Sequence, residues 1–181
     1  MPMPSDARLV PPQACFKASF LAALAEFQQQ DGSHQNDDLA WIEANFDTFL
    51  DDLRYRETNP TVGRVPEVVL WLVEADQFIG RASVRLALND SLRQIGGHIG
   101  YEIRPSMRQQ GYGRLICKLA LEHARTRGIT RALITCDANN AASRKVIQAN
   151  GGQFDRAVSL PHYRAVVLHF YVPLATDQTV G

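Results

Sequence analysis

Apolar residues in the first third of the chain recur at the three- and four-residue spacing of amphipathic helices. From Cys15 to Gln29, the apolar side chains at positions 16, 20, 24 and 27 form one face, which predicts a first helix. The polar segment 32–36, with a glycine at its start, interrupts this pattern. A second apolar face then runs from Leu39 to Leu53, and Asp37 or Asp38 is placed to cap that second predicted helix.

The rest of the chain alternates between strand and helix patterns. Predicted strands cover 68–73, 82–88, 98–104, 131–136, 153–159 and 165–172, and predicted helices cover 112–124 and 140–150. Because hairpins and a strand–helix–strand crossover occur together, we expect one α/β (α+β) domain with a mixed, mostly antiparallel sheet of about six or seven strands and about four helices. The domain spans 1–181, with flexible ends at 1–12 and 174–181.

Composition narrows the class of protein without identifying it. Nineteen basic residues balance nineteen acidic ones, so the net charge gives no reason to expect a nucleic-acid or membrane partner. The cysteines at 15, 117 and 136 are odd in number and far apart, which predicts neither disulfides nor a metal site. The N-terminus lacks a signal-peptide pattern, so we expect a cytoplasmic protein.

The segment from Gly100 to Arg114 holds the main candidate chemistry. A strand ends at Pro105, a loop with glycines at 111 and 113 follows, and a long helix begins. Free backbone N–H groups at a helix N-terminus favour an anion, and glycines let that anion come close. The spacing fits neither GxGxxG, because residue 116 is Ile116, nor the GxxxxGK[ST] loop. A tight turn with ordinary packing glycines is the alternative interpretation, and a different phosphate-bearing ligand is also compatible with these glycines.

Two motifs resemble the GNAT superfamily, the Gcn5-related acyl-CoA-dependent N-acetyltransferases. Residues 108–113, Arg-Gln-Gln-Gly-Tyr-Gly, match the family signature [Q/R]-x-x-G-x-[G/A] between a strand and a helix. Residues 140–143, Asn-Ala-Ala-Ser, resemble its Asn-x-x-[Ser/Ala] element, and Asn150-Gly-Gly follows that second helix. The resemblance covers residues 66–172 by motif and the N-terminal third by topology only.

The resemblance implies acetyl-CoA as co-substrate, without a metal. Strands 98–104 and 131–136 would splay apart, the pantetheine arm would pair with backbone near Ile103, and a backbone N–H there would stabilise the developing oxyanion. Asn140 and Ser143 would face the pantetheine arm and the thiol. The pyrophosphate would lie in the loop formed by Arg108, Gln109, Gln110, Gly111, Tyr112, Gly113 and Arg114.

The catalytic residues are less clearly indicated than the cofactor loop. The family commonly has a proton-donating Tyr where this chain has Ile147, so we consider Tyr163 as the substitute, with Cys136 near the thiol as a buried structural residue. The thiolate could also leave unprotonated or take a proton from water. Glu102 is the candidate general base, and His98 is the alternative.

The resemblance also implies that the acceptor is the amine of a small molecule or a peptide. Trp71, Tyr101 and His162 could line its pocket, although core packing is the alternative for Trp71. Asp37, Asp38, Asp47, Asp51 and Asp52 give the second helix an acidic face, which either attracts a cationic amine or is simply solvated. A non-catalytic acyl-CoA sensor is the competing hypothesis, because position 147 is not Tyr. The sequence leaves the oligomeric state open between a monomer and a homodimer, although homodimers are common in the family.

Overall fold

The computed structural model describes residues 6–174, which form a mixed α/β fold of seven strands and six α-helices. The N-terminal part contains β1 (Arg8–Val10), α1 (Lys17–Gln30), α2 (Leu39–Ala44) and α3 (Phe46–Thr58). The central part contains β2 (Glu67–Glu74), β3 (Gln77–Arg85), α4 (Asp90–Gln94), β4 (Ile99–Ile103) and α5 (Tyr112–Thr126). The C-terminal part contains β5 (Arg131–Asp137), α6 (Ala141–Ala149), β6 (Gln153–Val158) and β7 (Val167–Pro173).

The strands form two antiparallel sheets. The first has the order β1-β2-β3-β4 and the second has the order β5-β7-β6, so β4 and β5 are both edge strands. Within residues 6–174, an isolated bridge between Gly97 and Ile134 is the ladder contact between the sheets. The predicted fold class and the predicted separation of these two strands are confirmed, although the ladders form two antiparallel sheets and not a single mixed one.

Two hydrophobic clusters cover opposite faces of the first sheet. On one face, α5 and α6 bury residues such as Ile116 and Ile147 against alternate side chains of β2, β3 and β4. On the other face, α1, α2 and α3 pack around Trp71, whose ring stacks on Phe20 at a centroid distance of 4.6 Å. Trp71 is completely buried, so it belongs to the core and does not line an acceptor pocket.

Three elements differ from the sequence prediction. Residues 8–10, inside the end expected to be flexible, form β1 because they pair with Trp71 to Val73 of β2. The second predicted helix is divided at Asn45, whose φ of −120° and ψ of 37° leave the helical region. The short α4 was not predicted, although its cap is regular: the Asn89 side chain accepts a hydrogen bond from the Leu92 N–H.

The outermost parts of the predicted flexible ends, 1–5 and 175–181, lie outside the described residues. Between residues 6 and 174, no helix combines the length and the apolar character that crossing a bilayer requires.

Candidate active site

The glycine loop forms a cradle of backbone donors at the start of α5. Gln109 and Gly111 both have positive φ values, 62° and 89°, which turn the chain sharply before the helix. In the described part of the chain, the N–H groups of residues 109–113 make no hydrogen bond, and Arg114 is the first whose N–H is bonded, to the Gly111 carbonyl at 3.1 Å. The unsatisfied donors therefore lie at the N-terminus of α5, where the positive end of the helix dipole also favours an anion.

Arg108 is held beside the cradle by contacts to other elements. Its Nε donates to the Ile103 carbonyl at 3.0 Å, and its Nη2 lies 2.5 Å from the Asp31 carboxylate. Burial opposes ionisation of Asp31, but hydrogen bonds from Ser33 and Arg108 outweigh it and lower the pKa to about 2. Arg108 thus joins the end of β4 to the end of α1.

The edges of β4 and β5 belong to separate sheets and face each other, and we call the region between them the cleft. The His98 N–H donates to the Leu133 carbonyl at 2.7 Å, and the Leu133 N–H donates back to His98 Nδ1 at 2.9 Å. His98 therefore joins the two sheets where they meet, and burial, the largest effect, lowers its pKa. The nitrogen that accepts the Leu133 N–H is no longer available to take a proton, which argues against His98 as the general base.

The side of the cleft that faces α6 is lined by Tyr101 and the start of that helix. The Asn140 side chain caps α6 by accepting from the Ser143 N–H at 2.9 Å, and the Tyr101 hydroxyl lies 3.0 Å from Ser143 Oγ. Burial raises the pKa of Tyr101 well above its ordinary value, so the phenol stays protonated at neutral pH. Tyr101, predicted for the acceptor pocket, instead contacts the residue predicted to face the thiol.

Two other predicted residues near this cleft are buried. Ile147 is completely enclosed in the core between α6 and the sheets, and Cys136 is buried near the end of β5. Burial is also the largest influence on the Cys136 thiol and raises its pKa. A buried thiol with a raised pKa is a poor nucleophile, which agrees with the structural role expected for Cys136.

Glu102 lies on the opposite face of β4 from Tyr101, because successive strand residues point to opposite sides. Its carboxylate binds Arg81 of β3 at 2.9 Å and His34 Nε2 at 2.9 Å, while His34 Nδ1 binds Asp37 at 2.7 Å. Burial raises the pKa of Glu102, but the His34 hydrogen bond and Arg81 outweigh it and lower the pKa overall. Glu102 is therefore an anion at neutral pH.

His34 is the second basic partner of Glu102, beside Arg81, in a group that we call the Glu102 cluster (His34, Asp37, Arg81 and Glu102). The Glu102 hydrogen bond, the largest effect, raises the pKa of His34 against a smaller opposing effect of burial. Its backbone has a φ of 59°, and the Gln28 amide donates to its carbonyl at 2.8 Å. The segment between α1 and α2 is thus fixed against β4.

Tyr163 and His162 lie in the exposed loop between β6 and β7. The Tyr163 hydroxyl donates to both oxygens of Asp137 at the end of β5, at 2.9 and 3.1 Å. That hydrogen bond is the largest reason why the pKa of Tyr163 is raised. Tyr163 precedes β7, and its role as proton donor stays a prediction.

The acidic residues expected to form one face have separate structural contacts. Asp38 caps α2 by accepting from the Trp41 N–H at 3.0 Å, Asp51 pairs with Arg54 at 2.8 Å, and Asp37 belongs to the Glu102 cluster. Of these three residues, only Asp37 contacts the histidine that binds Glu102.

Sequence reasoning missed His34 and Arg81. Arg81 had a usable signal, because it occupies an outward position of β3 directly opposite Glu102 in the strand register. His34 had none, because it lies 68 positions from Glu102 and meets it only through the packing of α1 against the sheet.

The fold and the cleft together define a class of protein. The family model described as Acetyltransferase (GNAT) domain matches residues 18–153, more than half of the 181 residues. The chain belongs to the GNAT acetyltransferases, a family of acyltransferase enzymes.

Solved structures of several acetyltransferases share this fold. RimL, described as a ribosomal L7/L12 alpha-N-protein acetyltransferase in complex with coenzyme A, is 14% identical with a TM-score of 0.71, covering 97% of this chain and 98% of its own. Mycobacterium smegmatis RimJ in complex with CoA-disulfide is 16% identical with a TM-score of 0.68, covering 92% and 81%. A spermidine N-acetyltransferase SpeG chimera from Vibrio cholerae and hSSAT is 12% identical with a TM-score of 0.65, covering 93% and 96%. No curated protein matches the sequence.

Proposed function

We propose that this protein transfers an acetyl group from acetyl-CoA directly to the amine of a small molecule or a peptide. The observation that carries the proposal is the row of unbonded backbone N–H groups at residues 109–113, at the start of α5 and directly after the β4 strand that borders the cleft. An anion cradle next to an open strand edge suits a ligand with a pyrophosphate at one end and an extended amide-bearing arm at the other.

The residues present fit that co-substrate. Residues 109–113 would bind the pyrophosphate, the edge of β4 near Ile103 would bind the arm, and Asn140 and Ser143 would border its far end. When bound, acetyl-CoA supplies an acyl group activated as a thioester. Positive charge beside the pyrophosphate would come from Arg108, which is fixed by its contacts with Ile103 and Asp31. Arg114, in the first turn of α5, would add a second positive charge.

Glu102 is proposed to act on the acceptor amine. Its anionic carboxylate attracts a cationic ammonium to the side of β4 opposite Tyr101, and positioning the amine there contributes much of the rate. Because its pKa is lowered, Glu102 is a weak base, so proton removal would proceed through water or with the help of His34. Tyr163 remains the proposed donor of a proton to the departing CoA thiolate.

Binding is tested by thermal shift with acetyl-CoA and with free ADP. Gly111→Ala should weaken binding of both ligands, because a Cβ would enter the cradle and strain a residue whose φ is 89°. Gly128→Ala is the matched control: its φ is 84°, it lies just after the other end of α5, and no atom lies within 4 Å of the added Cβ. Equal loss of binding in both variants, or no shift with either ligand, would contradict the cradle assignment.

Turnover is tested by release of the CoA thiol in the presence of an amine panel that includes spermidine and a peptide with a free N-terminal Ser. Release that depends on the amine supports the transferase. Ile147, which stands where the family commonly has Tyr, favours a second candidate, a non-catalytic acyl-CoA sensor. Acetyl-CoA binding without release for any amine would select that candidate.

The proposal includes a cytoplasmic location and a homodimer. The free cysteines at 15, 117 and 136 favour a reducing compartment. Fractionation of the cells and light scattering coupled to size exclusion test these two expectations.

A further inference from the structure

A second cavity, separate from the cleft, lies beside the end of α3. Its volume is about 830 Å³, which is within the range of ligand-binding pockets. It is lined by the end of α3, the loop 59–65, the facing strand ends at Glu67 and Arg85, and the start of α4. Within residues 6–174, the lining includes neither the glycine loop nor Glu102, so this cavity is a separate candidate site.

The loop between α3 and β2 is held in place as one wall of the cavity. The Arg64 N–H donates to the Thr61 carbonyl at 2.9 Å, and the φ of 82° at Gly63 allows this tight turn. Asn89 then fixes the turn against α4: its Nδ2 donates to the Gly63 carbonyl at 3.1 Å, while its side-chain oxygen accepts from the Leu92 N–H. The backbone of the loop therefore brings Arg64 to the cavity in a defined position.

Arg85, on the opposite wall, is anchored by only part of its guanidinium. Its Nε lies 3.3 Å from Glu67, and its Nη1 donates to the Gly96 and Gly97 carbonyls at 3.3 and 3.1 Å. Its Nη2 makes no hydrogen bond to any of the described residues and is not fully buried. Burial, the largest effect, lowers the pKa of Arg85, and the nearby charge of Arg64 lowers it further against the opposing effect of Glu67. Two guanidinium groups from different segments therefore meet at this cavity.

Positive charge is in excess along the lining. In the described part of the chain, the exposed Arg64 side chain makes no hydrogen bond or ion pair. Glu67 is already shared between Arg85 and Arg56, whose Nη1 lies 3.7 Å away. Asp52 is the other acidic residue of the lining, and its exposed side chain also has no ion pair with a described residue. Three arginines thus face two acidic residues, and the cavity favours an anion.

We propose that this cavity binds a small molecule through a phosphate group held by Arg64 and Arg85. A phosphate offers three oxygens to two guanidinium groups and carries a charge of about −1.5 to −2 at pH 7, whereas a carboxylate offers two oxygens and one charge. The phosphate fills only a small part of the volume. The rest of the lining, which includes the apolar side chains of Val65 and Leu92, accommodates the organic part of the ligand.

The test measures the binding of phenyl phosphate, benzoate and phenol to the full chain by isothermal titration calorimetry at constant ionic strength. The three probes share one ring and differ in the charged group. We expect phenyl phosphate to bind at least about threefold more tightly than benzoate, and phenol not to bind. Equal affinities for phenyl phosphate and benzoate would overturn the phosphate assignment, and an absence of phenyl phosphate binding would overturn the site.

Two substitutions in the lining should change the affinity in opposite directions. Arg64→Glu should weaken phenyl phosphate binding at least about tenfold, because it removes a charged donor and adds a repelling charge. Asp52→Asn should strengthen binding about twofold to threefold, because it removes a repelling charge. Lys118→Glu is the matched control for Arg64→Glu, because it makes the same change in net charge at an exposed position on α5, outside the lining.

Gly111→Ala separates this cavity from the cradle, which also attracts phosphate. The inference is supported when Arg64→Glu weakens binding while Lys118→Glu and Gly111→Ala retain it. Binding that is lost in Gly111→Ala and retained in Arg64→Glu belongs to the cradle and overturns the inference. Equal weakening in Arg64→Glu and Lys118→Glu also overturns it, because the attraction then depends on net charge alone. The measurement is of binding and not of turnover, so its outcome is independent of the proposed transferase function.

Discussion

The pairing between His34 and Glu102 should appear as a pH-dependent coupling energy in protein stability. We propose a double-mutant cycle with His34→Asn, Glu102→Gln and the double variant. Asn suits this position because it tolerates the positive φ of 59° while removing the nitrogen that binds Glu102. Gln keeps the size of Glu102 and removes its charge.

The magnitude follows from the contact and its burial. His34 Nε2 and Glu102 are 2.9 Å apart, and their side chains are only 10% and 28% exposed, so solvent screens the pair weakly. A charged hydrogen bond of this kind contributes about 1.5–3 kcal/mol. Because Arg81 also binds Glu102 and Asp37 also binds His34, each partner keeps another contact when its neighbour is changed, and we expect a coupling of about 1–2 kcal/mol at pH 6.

The pH dependence has a definite sign. The pKa of His34 is raised from 6.5, so its contribution is fully present below pH 6.5 and is lost as the pH rises through the folded-state pKa. The pKa of Glu102 is lowered from 4.5, so its contribution is present above pH 4.5 and is lost in acid. The coupling should therefore be largest between about pH 5 and 6.5 and should fall at pH 9, where a neutral imidazole contributes about 0.5–1.5 kcal/mol.

The assay is urea unfolding followed by tryptophan fluorescence at pH 6 and pH 9. The exposed pair Arg54–Asp51 on α3 is the control, and its coupling should stay within about 0.5 kcal/mol at both values. A coupling at pH 6 no larger than that of the control, or one that is equal at pH 6 and pH 9, would refute an ionic contact between His34 and Glu102.

Three further predictions concern other parts of the molecule. Gly97→Ala should destabilise the protein by more than about 2 kcal/mol in urea unfolding, because the added Cβ would lie 2.3 Å from the Leu133 carbonyl oxygen. Trp71→Ala should cost about 3–5 kcal/mol in urea unfolding followed by circular dichroism, because a fully buried ring is removed from the core on the α1–α3 face of the first sheet. Tyr163→Phe should lower kcat at least about tenfold with little change in KM, as expected for loss of a proton donor. Tyr55→Phe, at an exposed position on α3, is its control, and equal kcat for Tyr163→Phe and the unmodified protein would remove Tyr163 from the mechanism.

Local patterns predicted the elements that carry the candidate site. The strand that ends at Ile103, the glycine loop and α5 follow from hydrophobic spacing and from glycines at fixed positions, all within one short segment. The cap of α6 at Asn140 was predictable for the same reason. These features depend on residues that are near each other in the chain.

Contacts between distant segments could not be predicted in this way. The partners of Glu102 come from the segment after α1 and from β3, and their choice depends on how helices pack on a sheet. The role of His98 is similar, because a histidine on a strand carries no local sign that it will join two sheets. Short elements such as β1 are also missed, since three residues give too little pattern and their stability comes from pairing with β2.

The alternation along β3 and β4 gives these strands one buried face and one partly exposed face. Residues such as Ala82 and Ile99 belong to the core, while the intervening positions 81, 83, 85, 100 and 102 are partly exposed. The residues at 81, 85 and 102 hold ion pairs, so a substitution at one of them would also lower the stability of the fold. An exchange at Ser83 would alter the partly exposed face without breaking an ion pair or opening a cavity in the core. Ser83 is therefore the position on this face where a change of side chain disturbs the fold least.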